Sequence, residues 1–206
     1  MPRLNRRRFL ATGAACLVPY RGIVAQTSAV PTPSMSLGPF YPDRLPPDRD
    51  NDLTRLAGEA GTARGEVFDL SGIVRTVEGR PVQGGMLEIW QCDAGGVYLH
   101  SASSSHGDHD PNFQGYGAAT TDAEGGYRFR TITPVAYTGR TPHIHFRLRA
   151  PNGRTLVSQI FLAGHPMNAS DFLFSRLPGR AAQSAASVTR IPSADGAAGV
   201  FEIVLQ

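Results

Sequence analysis

Tyr137-Thr-Gly-Arg140-Thr-Pro-His143-Ile-His145-Phe-Arg-Leu148 ends in strict alternation. Ile144, Phe146 and Leu148 are apolar, whereas His143, His145, Arg147 and Arg149 are not. That two-residue period predicts a β-strand with one face turned to a core. His143 and His145 then project from the same face, two residues apart, where two imidazoles make a ready pair of metal ligands. Upstream, Trp90-Gln-Cys-Asp93-Ala-Gly-Gly-Val-Tyr98 supplies a second tyrosine beside Tyr137. Phenolates from Tyr98 and Tyr137 would make the set N2O2 and anionic, which favours a hard trivalent metal over zinc or copper(I). A mononuclear ferric site is the expectation.

Short apolar runs continue to either side of this strand, at Val67–Val77, Met86–Gln91, Tyr127–Ile132, Leu156–Leu162 and Val200–Leu205. Turn signals separate them at Glu78-Gly79, Gly84-Gly85, Gly95-Gly96, Glu124-Gly125-Gly126 and Asn152-Gly153. This rhythm predicts an all-β fold, a β-sandwich of mostly antiparallel short strands. Residues 26–64 read as an irregular, extended lead-in, because Pro31, Pro33, Pro39, Pro42, Pro46 and Pro47 oppose regular structure. Within it, Phe40 and Tyr41 are placed to tuck against the mouth of a pocket. The sandwich domain is expected over 65–206. No internal repeat, heptad pattern or nucleotide-binding glycine loop is evident.

Residues 1–25 have the form of an address label. Asn5-Arg6-Arg7-Arg8-Phe9-Leu10 resembles a twin-arginine export motif, followed by an apolar run too short to span a bilayer. The expected location is periplasmic or secreted, with no stable membrane association once the signal is cleaved. This segment holds five arginines and no acid, so leaving it out takes the formal charge from +3 to −2. The basic balance therefore belongs to the signal, and nucleic-acid binding loses its support. Every basic residue is arginine, which excludes Schiff-base chemistry through a lysine side chain. Cys16 leaves with the signal, and Cys92 alone permits no internal disulfide. Cys92 reads as a small buried hydrophobe, since nothing near it in sequence would stabilise a thiolate.

A family likeness runs in order through Gly38-Pro-Phe-Tyr41-Pro, Phe68-Asp-Leu-Ser-Gly-Ile-Val74, Gly85-Met-Leu-Glu-Ile-Trp90-Gln-Cys-Asp93-Ala-Gly-Gly-Val-Tyr98 and Asp110-Pro-Asn-Phe-Gln-Gly115. It continues through Thr121-Asp-Ala-Glu-Gly-Gly-Tyr-Arg-Phe-Arg-Thr-Ile132, the histidine segment and Val157-Ser-Gln159-Ile-Phe161. In these motifs the chain resembles the intradiol ring-cleavage dioxygenases, the family of protocatechuate 3,4-dioxygenase and catechol 1,2-dioxygenase, as a short exported member. The resemblance implies one non-haem Fe(III) per chain, held by Tyr98, Tyr137, His143 and His145. It implies a catechol-type substrate and O2, with ring cleavage between the hydroxyl-bearing carbons to a cis,cis-muconate-type diacid. It places Arg140 beside the substrate, where a fixed cation stabilises charge developing on the ring. It gives Tyr137 a proton-accepting role and puts Gln159 in the same pocket as a hydrogen-bonding group. An oligomer is left open.

Plainer readings stand beside these. Each tyrosine alone is a half-buried strand residue, the His-x-His pair a solvent-facing one, Arg140 a surface ion pair and Gln159 an edge-strand polar residue. Two departures from the family bear on substrate. Only two residues separate Tyr137 from Arg140, where the protocatechuate and catechol enzymes carry a longer loop, and Ala118 stands where relatives often have arginine. A non-catalytic periplasmic β-sandwich that binds a metal or a phenol is the alternative. His100, His106, Asp108, His109 and Asp110 form a second histidine- and aspartate-rich stretch, expected to be a solvated loop near the site.

Overall fold

The computed structural model describes residues 29–206. The expected export signal, residues 1–25, lies outside the described residues. Ten strands form two five-stranded sheets among the described residues. The first sheet is built on β1 (Val67–Thr76), which pairs antiparallel with β4 (Gly126–Ile132) and parallel with β9 (Gly196–Val200) and β10 (Ile203–Leu205). The short β8 (Ile191–Ser193) closes its edge against β9. The second sheet has the order β3 (Tyr116–Thr120), β2 (Met86–Trp90), β5 (His143–Arg149), β6 (Thr155–Leu162), β7 (Ser187–Val188). Its first four strands are antiparallel, and β6 with β7 is parallel.

The alternation in β5 does what a two-residue period requires. Ile144, Phe146 and Leu148 are fully buried between the sheets with Leu87, Ile89 and Ile160 from the neighbouring strands. The first sheet contributes Phe68, Leu70, Phe129 and Ile203 to the same core. The expected run Val200–Leu205 is interrupted. β9 ends at Val200, Phe201 turns into the core, and pairing with β1 resumes at Ile203. Strand β3 escapes a hydrophobicity pattern because Gly117, Ala118 and Ala119 are small, and it is held by its ladder to β2. One short helix, α1 (Gly179–Ala185), follows the last long strand. Among the described residues no helix is long and apolar enough to cross a membrane.

The opposite face of the second sheet carries the site. It displays Trp90, His143, His145 and Gln159, and it would be solvent-facing if the sandwich ended there. Segments 29–54 lie across it and across the sandwich edge. Thr32 N–H bonds to the Val204 carbonyl at 3.0 Å, Met35 N–H to Val157 at 2.8 Å and Leu53 N–H to Arg130 at 2.7 Å. Beneath this cover a second hydrophobic cluster forms from Trp90, Cys92, Tyr98 and Tyr116, with Leu37, Phe40, Tyr41 and Tyr137 packed on it.

Candidate metal centre

Two loops and one strand bring the candidate ligands together. β5 supplies His143 and His145, which are 1% and 2% exposed. Their Nε2 atoms lie 3.2 Å apart. Tyr98 enters on the loop after β2, with its Oη 3.4 Å from His143 Nε2. That loop is shaped by buried Asp93, whose Oδ1 accepts the N–H groups of Gly95 at 2.8 Å and Val97 at 2.9 Å. Its Oδ2 accepts the N–H of Asp110 at 2.7 Å. Tyr137 enters between β4 and β5, with its ring 5.3 Å from that of Tyr98 and nearly perpendicular to it. The two residues between Tyr137 and Arg140 make a tight turn, closed by Arg140 N–H to the Tyr137 carbonyl at 2.7 Å. Gly139 provides the positive φ of +74° that the turn needs.

The histidines are a buried pair rather than a solvated one. His143 Nδ1 is 2.7 Å from the Thr141 carbonyl. A carbonyl only accepts, so Nδ1 carries the proton and Nε2 presents its lone pair to the site. His145 has no polar partner at Nδ1. Its ring is held instead by stacking on Trp90, with centroids 5.0 Å apart and planes 13° apart. Burial, with the Arg140 charge adding to it, lowers the pKa of His143 to about 4. Burial and the neighbouring His143 hold His145 well below its ordinary value. Both imidazoles are therefore neutral at pH 7, the form that binds a metal.

The phenols behave in the opposite sense. Burial raises Tyr98 well above 10, and the neighbouring Tyr137 adds to the rise. Burial also raises Tyr137, against hydrogen bonds from Tyr98 and the charge of Arg140, which lower it. Two buried phenols of raised pKa ionise only if a strong positive charge comes between them. The two Nε2 atoms, 3.2 Å apart, are close enough to share a proton or to bind one cation together. The donor set thus fits a hard trivalent ion, two nitrogens and two phenolates, and it fits zinc poorly. Among the described residues no group of three or more His, Cys, Asp or Glu is arranged around a metal, so the tyrosines are needed to complete a site.

Arg140 and Gln159 are both at this cluster. Arg140 is buried and donates through Nε to Asp171 Oδ2 at 2.8 Å and through Nη2 to Gln159 Oε1 at 2.5 Å. It is a buried ion pair, not a surface one. Gln159 lies opposite His145 in the sheet and is fully buried in an inner strand, with its Nε2 left without a partner. Phe40 stacks on Tyr98 at 4.9 Å, and Tyr41 meets Trp90 edge-on at 5.0 Å. Phe172, half exposed, covers the Arg140 guanidinium at 5.1 Å.

The second histidine-rich stretch is divided by the structure. Asp110 points inward and accepts the N–H groups of Arg64 and Asn112 at 2.7 Å and 3.1 Å. His109 stacks on Phe113. His100 touches Phe40 at the rim of the candidate site. Cys92 is buried, with its thiol pushed up by burial to about 12 and so inert at neutral pH. Asp171, Thr141 and Phe172 are the site residues that sequence reasoning missed. Asp171 had no signal beyond its place in a polar turn, 31 residues from the arginine it binds.

Fold and geometry together define a β-sandwich protein with a two-histidine, two-tyrosine ligand set on the covered face of one sheet. A family profile described as dioxygenase matches residues 37–206. The protocatechuate 3,4-dioxygenase beta chain of Burkholderia cepacia is 40% identical over 137 residues, covering 63% of this chain and 58% of the relative. A hydroxyquinol 1,2-dioxygenase of Corynebacterium glutamicum is 34% identical over 154 residues, covering 66% of this chain and 47% of the relative. The dioxygenase domain of a dioxygenase carbohydrate-binding protein fusion from Streptomyces sp. SirexAA-E is similar at a TM-score of 0.66 and 30% identity. It is matched over 86% of this chain and 99% of that one. This chain belongs to the intradiol ring-cleavage dioxygenase family. It spans about half the length of the curated relatives it matches.

Proposed function

We propose that this protein is a non-haem Fe(III) intradiol dioxygenase that takes a catechol-type substrate and O2. The ring would open between its hydroxyl-bearing carbons to a cis,cis-muconate-type diacid. The observation that carries this is that Tyr98, His143 and His145 meet on the covered face, with the Tyr137 ring against Tyr98 and His143 and with Arg140 and Gln159 alongside. Those four residues would hold the iron, whose contribution when bound is Lewis-acid activation of the catechol oxygens.

The chain's own groups do the rest. The Thr141 carbonyl fixes the tautomer of His143, and Trp90 fixes the plane of His145. Tyr137 is the less buried phenol and feels the Arg140 charge, which favours its ionised form, so its oxygen is the group placed to accept a catechol proton. Arg140, pinned by Asp171 and Gln159, stabilises negative charge that builds on the ring. The free N–H groups of Gln159 Nε2 are a buried donor that a substrate oxygen would satisfy. Phe40 and the 29–54 cover exclude water, which strengthens these interactions. The short Tyr137–Arg140 connection is what favours non-catalytic binding, yet its turn keeps both side chains at the site, which supports catalysis.

Oxygen uptake by iron-reconstituted protein given catechol, with mass analysis of the product, tests this. The expected product is catechol plus one O2. A protein that holds iron and consumes no oxygen with any catechol tried would leave the binding function in its place. We propose further that residues 1–25 direct twin-arginine export, on the strength of Arg6-Arg7-Arg8 and the apolar run after them. Replacing Arg6 and Arg7 with lysine should then hold the precursor in the cytoplasm, and continued export would refute it.

A further inference from the structure

We infer that Asp171 is a positioning residue for ring cleavage, acting with Phe172 as a clamp that holds the Arg140 guanidinium in one orientation beside the ligand cluster. The inference rests on the ring-cleaving function proposed for this site. The Asp171 carboxylate is fully buried and the Arg140 side chain is 9% exposed. Asp171 Oδ1 accepts the N–H groups of Leu173 at 2.9 Å and Phe174 at 3.0 Å, so the turn that carries the carboxylate also fixes its direction. Oδ2 accepts Arg140 Nε at 2.8 Å and the Thr141 N–H at 3.0 Å.

That last pair of bonds sets the register. A single oxygen ties the guanidinium to the backbone of Thr141, and the Thr141 carbonyl takes His143 Nδ1–H at 2.7 Å. The Thr141 hydroxyl in turn donates to Asn168 Oδ1 at 2.7 Å, locking the same residue from its side chain. Arg140 is therefore positioned relative to His143 through Asp171 and not merely near it. Gln159 holds Nη2 from another strand, and Phe172 covers the guanidinium face at 5.1 Å. An unheld arginine samples many rotamers, whereas a planar fork gripped at two nitrogens keeps its donors aimed at one place. A carboxylate serving only to close its turn needs no donors beyond Leu173 and Phe174. The Nε bond and the covering ring are additional to that need.

The test uses the iron-reconstituted full chain as wild type, Asp171→Asn, Arg140→Met and the double variant. Measured are kcat/KM for catechol in air, catechol affinity without oxygen from the absorption change, and iron content. Asp171→Asn should keep the iron and the absorption band of the free protein while kcat/KM falls about ten- to a hundred-fold. The same substitution should cost nothing further in the Arg140→Met background, because the two act as one unit. Equal losses in both backgrounds, or a wild-type kcat/KM in Asp171→Asn, would overturn the clamp. If Asp171→Asn does not fold, Phe172→Ala at its half-exposed position takes its place. A loss of about three-fold that vanishes beside Arg140→Met then supports the clamp, and an equal loss in both backgrounds overturns it. Wild-type protein that holds iron and cleaves nothing would remove the ring-cleaving function and the clamp together. That outcome shows before any substitution is compared.

Discussion

At the scale of residues, burial keeps the two histidines neutral, the form of imidazole that can bind a cation, and keeps the two phenols protonated. Burial and the Arg140 charge lower the His143 pKa to about 4, against an ordinary value of 6.5. Between those values the unfolded chain takes up a proton that the folded chain refuses, so stability falls as pH drops from 6.5 towards 4 and is level above 6.5. The loss from His143 alone should be about 3 kcal/mol, measurable by denaturant unfolding across that range. Iron-loaded protein should resist the same acidification to lower pH, since the ion competes with the proton. Gly38 offers a second handle. Its φ is +78°, and an added Cβ would sit 3.1 Å from His145 Cε1. Gly38→Ala should cost about 1–2 kcal/mol in backbone strain and weaken iron retention by tilting the ring. Unchanged iron content under chelator challenge would show that this contact does not hold His145.

At the scale of elements, the same alternation serves two interiors. One face of β5 builds the core between the sheets, and its other face builds the site and, two residues further on, a buried polar knot. Glu88 on β2 accepts bonds from Tyr116 at 2.6 Å, Tyr41 at 3.1 Å and Arg147 Nη2 at 2.9 Å. Arg147 also reaches Tyr41 Oη at 2.6 Å, which binds the lead-in to the sheet beside Trp90. Burial acts to raise the Glu88 pKa, and hydrogen bonds from Arg147 and Tyr116 outweigh it and hold the carboxyl below 4.5. Its contribution is present above that value and is lost as pH falls through the lower, folded one. Glu88→Gln should destabilise the protein by about 2 kcal/mol by leaving Arg147 without its counter-charge, read from the shift in denaturant midpoint. A midpoint within error of wild type would mean that the knot is not what fastens the lead-in.

These elements also explain what was legible in the sequence. The β5 register and the shared face of His143 and His145 could be read because alternation is local, whereas Tyr98, far upstream of the histidines, was joined to them by the family resemblance rather than by spacing. The burial of the outer face could not, since it depends on segments 29–54 crossing from far upstream with no regular structure of their own. Strand β3 was hidden by Gly117, Ala118 and Ala119, and the break at Phe201 by the apolar run on either side of it. Asp171 was invisible for a related reason: its partner Arg140 lies 31 residues away, and only the fold brings them together.

At the scale of the whole molecule, the sandwich supplies a rigid floor and the irregular segments supply a roof, with the candidate centre between them. Phe68, Phe146 and Ile203 can hold the sheets together without the site, whereas the second hydrophobic cluster exists only where the lead-in meets the outer face. The central claim is that this covered face holds one ferric ion between two phenolates and two imidazoles. The most direct measurement is the visible spectrum and iron content of the reconstituted protein, recorded before and after adding catechol without oxygen. One iron per chain is predicted, with a tyrosinate-to-iron charge-transfer band that shifts when catechol binds. A colourless protein that retains no iron after reconstitution would contradict the account.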